Sequence, residues 1–120
     1  MSNQIVWFDI PVTNLNRAIQ FYSRVLGVEV AKNEFSGNAI GVFPHEGNEV
    51  GGCLFFKEGE TPSDHGPLLY FNAQDRLDQA IAEVEPNGGR ILQPKHEIGP
   101  YGWRAVVVDS EGNRIALHTM

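Results

Sequence analysis

At 120 residues the chain has length for one hydrophobic core but not for two independent ones. Its 42% hydrophobic and 20% charged residues are those of an ordinary folded domain, far from disordered compositions. A formal net charge of -6 excludes the basic stripe by which nucleic-acid binders neutralise phosphates, and disfavours acidic lipid headgroups as partners.

The longest apolar runs, such as Cys53 to Phe56 and Ala105 to Val108, fall far short of the roughly 20 residues that cross a bilayer as a helix. Met-Ser-Asn-Gln at the start has neither the basic nor the apolar region of a secretory leader, which sets a cytoplasmic expectation. A single cysteine, Cys53, cannot form an internal disulfide and suits a reducing compartment.

The chain repeats itself. A shift of 62 positions lays Leu15, Ala18, Ile19 and Gly27 on Leu77, Ala80, Ile81 and Gly89, all identities within a strand–helix–turn pattern. In the first half Ile5 to Ile10 is β-branched and aromatic and closes at Pro11, as a strand does. Asn14 is a helix N-cap, and Leu15, Ala18, Ile19, Tyr22, Val25 and Leu26 fall on one helix face. Gly27 stops that helix at the position where positive φ costs glycine little. Strands near 29–32, 39–43 and 52–57 follow, parted by Ser36-Gly37-Asn38 and Glu46-Gly47-Asn48 turns.

Residues 58–66, with Gly59, Pro62 and Gly66, form a polar linker. The second half opens with a strand over 68–72. Asp75 or Arg76 starts a helix with apolar Leu77, Ala80, Ile81 and Val84, which ends near Glu85 because Pro86 cannot extend it. Strands near 90–93, 103–108 and 114–118 complete the half. The expected architecture is α+β: one domain over residues 1–120, with module one over about 1–57, the linker, and module two over 67–120, each module βαβββ.

Two stretches carry a resemblance. "IPVTNLNRAIQFYSRVLGVEV" is similar to the V-x-D-x-x-x-A-x-x-F-Y-x-x-x-L-G opening of the glyoxalase/bleomycin-resistance/dioxygenase (vicinal oxygen chelate) superfamily, with Asn14 where Asp is usual. "NGGRILQP" and "YGWRAVVVDSEGNRIALH" resemble its second module, with "DSEGN" at the usual D-P-x-G-N hairpin turn. The resemblance spans essentially the whole chain and is strongest to glyoxalase-like bacterial proteins of unassigned activity. It implies a cupped, barrel-like mixed sheet with helices outside, and a divalent metal where four inward strand positions converge.

Counted from the helix and the Gly-Asn turn, those positions fall on Trp7, where lactoylglutathione lyases carry His, on Leu69 in the second module, and on Cys53 and Ala116, where Glu is usual. Trp, Leu and Ala offer no lone pair, whereas a divalent metal needs several oxygen or imidazole ligands at about 2.0–2.2 Å. The metal is therefore not expected, and no other cofactor is.

The remaining candidates are few. His118 and Arg114 share the strand face of Ala116 and are a conceivable base and anion contacts; a strand-end histidine half in solvent is the alternative. Cys53 reads as a buried apolar thiol, since no Cys/His spacing activates it. His45 and His96 fall in loops and His65 in the linker. Trp7 with Phe55 forms either a floor for a planar ligand or plain core. "IGPYGW" is a connection long enough to be a flap. "DSEGN" lacks the spacing of a calcium loop, and "GNEVGG" lacks the lysine of a P-loop.

Two functions remain. One is metal-independent binding of a small organic molecule in a cup lined by Trp7, Cys53, Phe55, Leu69, Arg114, Ala116 and His118. The other is a glyoxalase-like lyase or isomerase. A homodimer is expected, because relatives commonly complete open cups by pairing.

Overall fold

In a computed structural model, which describes residues 2–120 and at position 35 the backbone alone, the elements run β1 (Trp7–Pro11), α1 (Leu15–Leu26), β2 (Ala31–Phe35), β3 (Asn38–Val42), β4 (Gly51–Phe55), β5 (Leu69–Asn72), α2 (Leu77–Ala82), β6 (Arg90–Glu97), β7 (Trp103–Val108) and β8 (Arg114–Thr119). They form two four-stranded mixed sheets, ordered β1-β4-β3-β2 and β5-β8-β7-β6. This is the expected pair of βαβββ modules. The sheets remain separate and are not closed into a barrel.

Helix α1 forms for the reasons its sequence gives. Asn14 is extended, and its side-chain oxygen accepts from the Arg17 N–H at 3.0 Å, satisfying a donor that the first turn leaves open. Gly27 closes the helix at φ 67°, a left-handed conformation that a Cβ would strain. Ala18, Phe21, Tyr22, Val25 and Leu26 are buried on one face.

Both ends of α1 are also held by module two. The Glu111 carboxylate accepts from the backbone N–H groups of Thr13 and Asn14 at 3.0 and 2.8 Å and lies 2.7 Å from Arg17 Nε. At the other end Arg76 Nη1 donates to the Val25 carbonyl at 2.6 Å. An anion at the N-terminus and a cation at the C-terminus both oppose the helix dipole.

The turn that presents Glu111 is built around buried Asp109. Its Oδ1 accepts from the N–H groups of Glu111 and Asn113, and its Oδ2 from the Tyr22 hydroxyl at 2.5 Å and from Asn113 Nδ2. "DSEGN" is thus a hairpin turn whose carboxylate is already committed. Burial, and then the neighbouring Asp109 charge, push the Tyr22 hydroxyl well above its ordinary value, so it stays a donor.

One core joins the modules. Ile10, Tyr22, Phe43 and Leu54 of the first meet Phe71, Leu77, Val107 and Leu117 of the second, and Tyr22, Phe43 and Phe71 pack ring against ring at 5.3–5.4 Å. Helix α2 is shorter than expected, ending at Ala82 before a 3-10 turn over Glu85–Asn87. Pro86 lacks the N–H that an α-helical continuation needs. Strand β6 is longer than expected. It runs on to Glu97 through two irregularities, and Pro94 falls in the second of them, where a missing N–H is tolerated.

Candidate functional site

Strand alternation gives each sheet two faces. Phe8, Ile10 and Leu54 turn towards the helices and belong to or pack on the core. Trp7, Asp9, Cys53 and Phe55 therefore occupy the opposite, cup face, with Asp9 the register partner of Cys53 and Phe55 that of Pro11. Cys53 is buried yet outside the helix-side core, and so are Val106, Val108 and Ala116 of the second sheet.

On the first cup face the Trp7 indole N–H donates to Asp9 Oδ1 at 2.8 Å, and the Cys53 thiol donates to the same oxygen at 3.2 Å. Asp9 Oδ2 has no protein partner among the described residues. Burial pushes the Cys53 thiol up to about 12, helped by its bond to the Asp9 carboxylate and that group's charge. The thiol is neutral at physiological pH and is no nucleophile.

The indole is 44% exposed and stands edge-on to His45 at 5.7 Å. Gly51 makes room for it, since a Cβ there would come within 2.8 Å of the ring. An open hollow of about 870 Å³ adjoins, lined by Val6, Trp7, His45, Asn48, Glu49 and Gly51 among others.

The second sheet corrects one expectation. Leu69 packs against the core on the helix side and lines the groove between the modules with Phe8, Phe43 and Phe71. Tyr70, not Leu69, is opposite Ala116, as Asp9 is opposite Cys53. The connection from strand to helix is one residue longer in module two, and Asp75 within it takes a positive φ of 63°. The 62-residue shift that aligns the helices therefore misaligns the strands, and a one-residue slip turns a side chain to the other face.

Ala116, Arg114 and His118 do lie on the second cup face. Arg114 is occupied there: its Nη2 donates to the Gly66 carbonyl at 2.8 Å, tying the linker to β8, while its buried Nε finds no partner among the described residues. His118 Nε2 lies 2.6 Å from the Tyr101 carbonyl, so Nε2 carries the proton and donates. The "IGPYGW" segment is thereby pinned. It forms a 3-10 turn over Gly99–Tyr101, closed by Ile98 N–H to Gly102 O at 2.8 Å. His96, expected in a loop, is in β6, half-buried and hydrogen-bonded to Arg104.

Three cup-face residues were not singled out in the sequence, Asp9, Tyr70 and Arg104, and a fourth, His96, was assigned to a loop. Asp9 was within reach, being two positions beyond Trp7 on the same strand. Arg104 was too, because the hairpin turn at Asp109–Asn113 fixes Val108 opposite Arg114 and hence Arg104 opposite His118. The β6 irregularities hide His96 from counting.

The donor set does not fit a divalent metal. Of the four expected positions Leu69 turns to the helix side, Trp7 and Ala116 have no ligand atom, and only the buried Cys53 sulfur remains, with Asp9 beside it. Among the described residues no three His, Cys, Asp or Glu side chains gather as ligands would.

A sequence model of the glyoxalase/bleomycin resistance protein/dioxygenase superfamily matches residues 4–117. The chain belongs to that superfamily. CFP32 of Mycobacterium tuberculosis, a glyoxylase by name, is 26% identical over 115 residues, which is 92% of this chain and 43% of CFP32. The chain thus spans less than half the length of that relative.

Superfamily folds match closely. The crystal structure of a glyoxalase/bleomycin resistance protein from Albidiferax ferrireducens superposes with TM-score 0.77 at 18% identity, covering 98% of this chain and 99% of that one. The fosfomycin resistance protein FosX of Listeria monocytogenes, an E126Q mutant holding Mn(II) and a dihydroxypropylphosphonic acid, superposes with TM-score 0.71 at 15% identity over 99% of this chain and 93% of its own. Among the described residues no helix is long and apolar enough to cross a membrane.

Proposed function

We propose that this superfamily member binds a small organic molecule on its cup face without the divalent metal held by relatives such as FosX. The observation that carries the reading is Trp7. Where the resemblance puts the first metal ligand stands an exposed indole, held by Asp9 and floored by Gly51, with the Cys53 thiol beyond it. Such a surface stacks on a planar group and presents the free Asp9 oxygen to a hydrogen-bond donor or cation. Burying apolar surface there at about 25 cal/mol per Å² gives affinity on the order of micromolar once one polar group is paired.

The reading is completed by pairing of two chains. Ile5 and Val6, just before β1, and Tyr70 of β5 are exposed apolar side chains, and a symmetric partner would cover them.

The test is a screen of small metabolites and antibiotics by tryptophan fluorescence and melting temperature, repeated on Trp7→Ala and Trp103→Phe. The reading expects hits that Trp7→Ala abolishes and Trp103→Phe leaves intact. Hits indifferent to Trp7→Ala would remove the pocket.

A second reading is favoured by Asp9. An unpaired carboxylate oxygen on the cup face is placed as a general base is, which suits a glyoxalase-like lyase or isomerase working by proton abstraction. Turnover of the glutathione–methylglyoxal hemithioacetal, lost in Asp9→Asn, would favour it over binding alone.

A further inference from the structure

His96, Arg104, His118 and Asn72 are successive register partners across the four strands of the second sheet, with Tyr70 two residues before Asn72 on the same face. Arg104 is the centre of this row. Its Nε donates to His96 Nε2 at 3.0 Å, and its Nη1 donates to the Tyr70 hydroxyl oxygen, with the guanidinium carbon 5.9 Å from the Tyr70 ring centre. His96 Nδ1 lies 2.8 Å from the Pro94 carbonyl. A carbonyl can only accept, so Nδ1 carries the proton and Nε2 offers a lone pair. Ala116 lies between Tyr70 and Val106 in the register, and its small side chain leaves the space Arg104 crosses to reach Tyr70.

Arg104 is thus fixed on two edges by neutral acceptors and by no acid. The chain has 15 acidic residues, yet the ion pairs among the described residues join Glu111 to Arg17, Asp64 to His65 and Asp78 to Lys95. A guanidinium has five N–H donors, and the two bonds leave Nη2 uncommitted. The Tyr70 hydroxyl accepts from Arg104, so its own proton is free to donate. A held cation with unused parallel donors and an adjacent hydroxyl matches a planar carboxylate or a phosphoryl group.

The geometry points to Arg104 and Tyr70 as a seat for an oxyanion, carboxylate or phosphonate, on the ligand of the second cup face, with His96 as the residue that positions the guanidinium. The seat rests on the reading of the cup as a ligand surface. It gives that ligand an anionic end and assigns the contact to Arg104, not to Arg114, which the linker carbonyl occupies.

The test titrates the full chain with phenylphosphonate, benzoate and the neutral benzamide, following the Arg104 Nε–H and Trp7 indole cross-peaks by NMR. Both anions should move the Arg104 signal saturably and lose at least about tenfold in affinity in Arg104→Gln, while benzamide binding is unchanged. The ratio of the two affinities tells phosphoryl from carboxylate preference. Arg104→Lys should recover part of the loss. Tyr70→Phe, which keeps the guanidinium, should weaken both anions several-fold even if Arg104→Gln does not fold.

Anion binding equal in wild type, Arg104→Gln and Tyr70→Phe overturns the seat. A Trp7 signal that responds while Arg104 is silent removes the seat and keeps the cup reading. An Arg104 response with Trp7 silent keeps the seat and removes the indole floor. Silence of both signals to all three probes overturns both.

Discussion

Glu111 and Arg76, both of module two, hold opposite ends of the same module-one helix: Glu111 accepts from the Thr13 and Asn14 N–H groups, and Arg76 donates to the Val25 carbonyl. The two modules are therefore expected to unfold as one cooperative unit. Glu111→Gln should cost on the order of 2 kcal/mol, because charge-assisted bonds become neutral ones. Chemical denaturation followed by far-UV dichroism and by tryptophan fluorescence should give coincident transitions, which two separate steps would contradict.

The same carboxylate sets an acid dependence. Its bonds to Arg17, Ser110, Asn14 and Thr13 outweigh the burial that opposes ionisation and hold Glu111 down at about 2, against the ordinary 4.5. A depressed carboxylate contributes stability that is complete above the unfolded value and is lost as pH falls from about 4.5 towards 2. Melting temperature should fall over that window in the wild type, and by visibly less in Glu111→Gln.

Cys53 should resist alkylation. With its thiol at about 12, reaction with a disulfide reagent at pH 8 should be far slower than for an exposed cysteine. Burial is the larger cause and Asp9 the next, so Asp9→Asn should speed labelling several-fold without reaching the exposed rate. A fast wild-type reaction would place a thiolate where the geometry has none.

Tyr22→Phe removes the hydroxyl that satisfies buried Asp109 Oδ2 and should destabilise the fold by about 1–3 kcal/mol. Asn113 Nδ2 would remain as the partner of that oxygen, so folding should survive. Urea midpoints at an unchanged m-value check the prediction.

Light scattering at micromolar concentration should give about twice the 13.3 kDa chain mass, as pairing through the exposed Ile5, Val6 and Tyr70 requires. A mass of one chain would contradict it.

Much of this was legible because it is local. Asn14 and Gly27 announce the bounds of α1, and the Asp109–Asn113 turn fixes the β7–β8 register. What was not legible depends on single-residue irregularities. One added residue around Asp75 reverses the facing of Leu69 and Tyr70, and two irregularities in β6 bring His96 beside Arg104. Inter-module contacts such as Arg76 to Val25 follow no sequence period at all. The identity of Trp7 at a cup-facing position, by contrast, follows from alternation with Phe8 and Ile10.

The cup is expected to take a ligand without the family metal, and elemental analysis of the protein purified without chelators checks this. Ni, Zn, Fe and Mn should each be well below stoichiometric. About one such ion per chain, retained through gel filtration, would contradict it, since Trp7, Cys53 and Ala116 on the cup face offer only one ligand atom, the Cys53 sulfur, and Leu69 turns to the helix side.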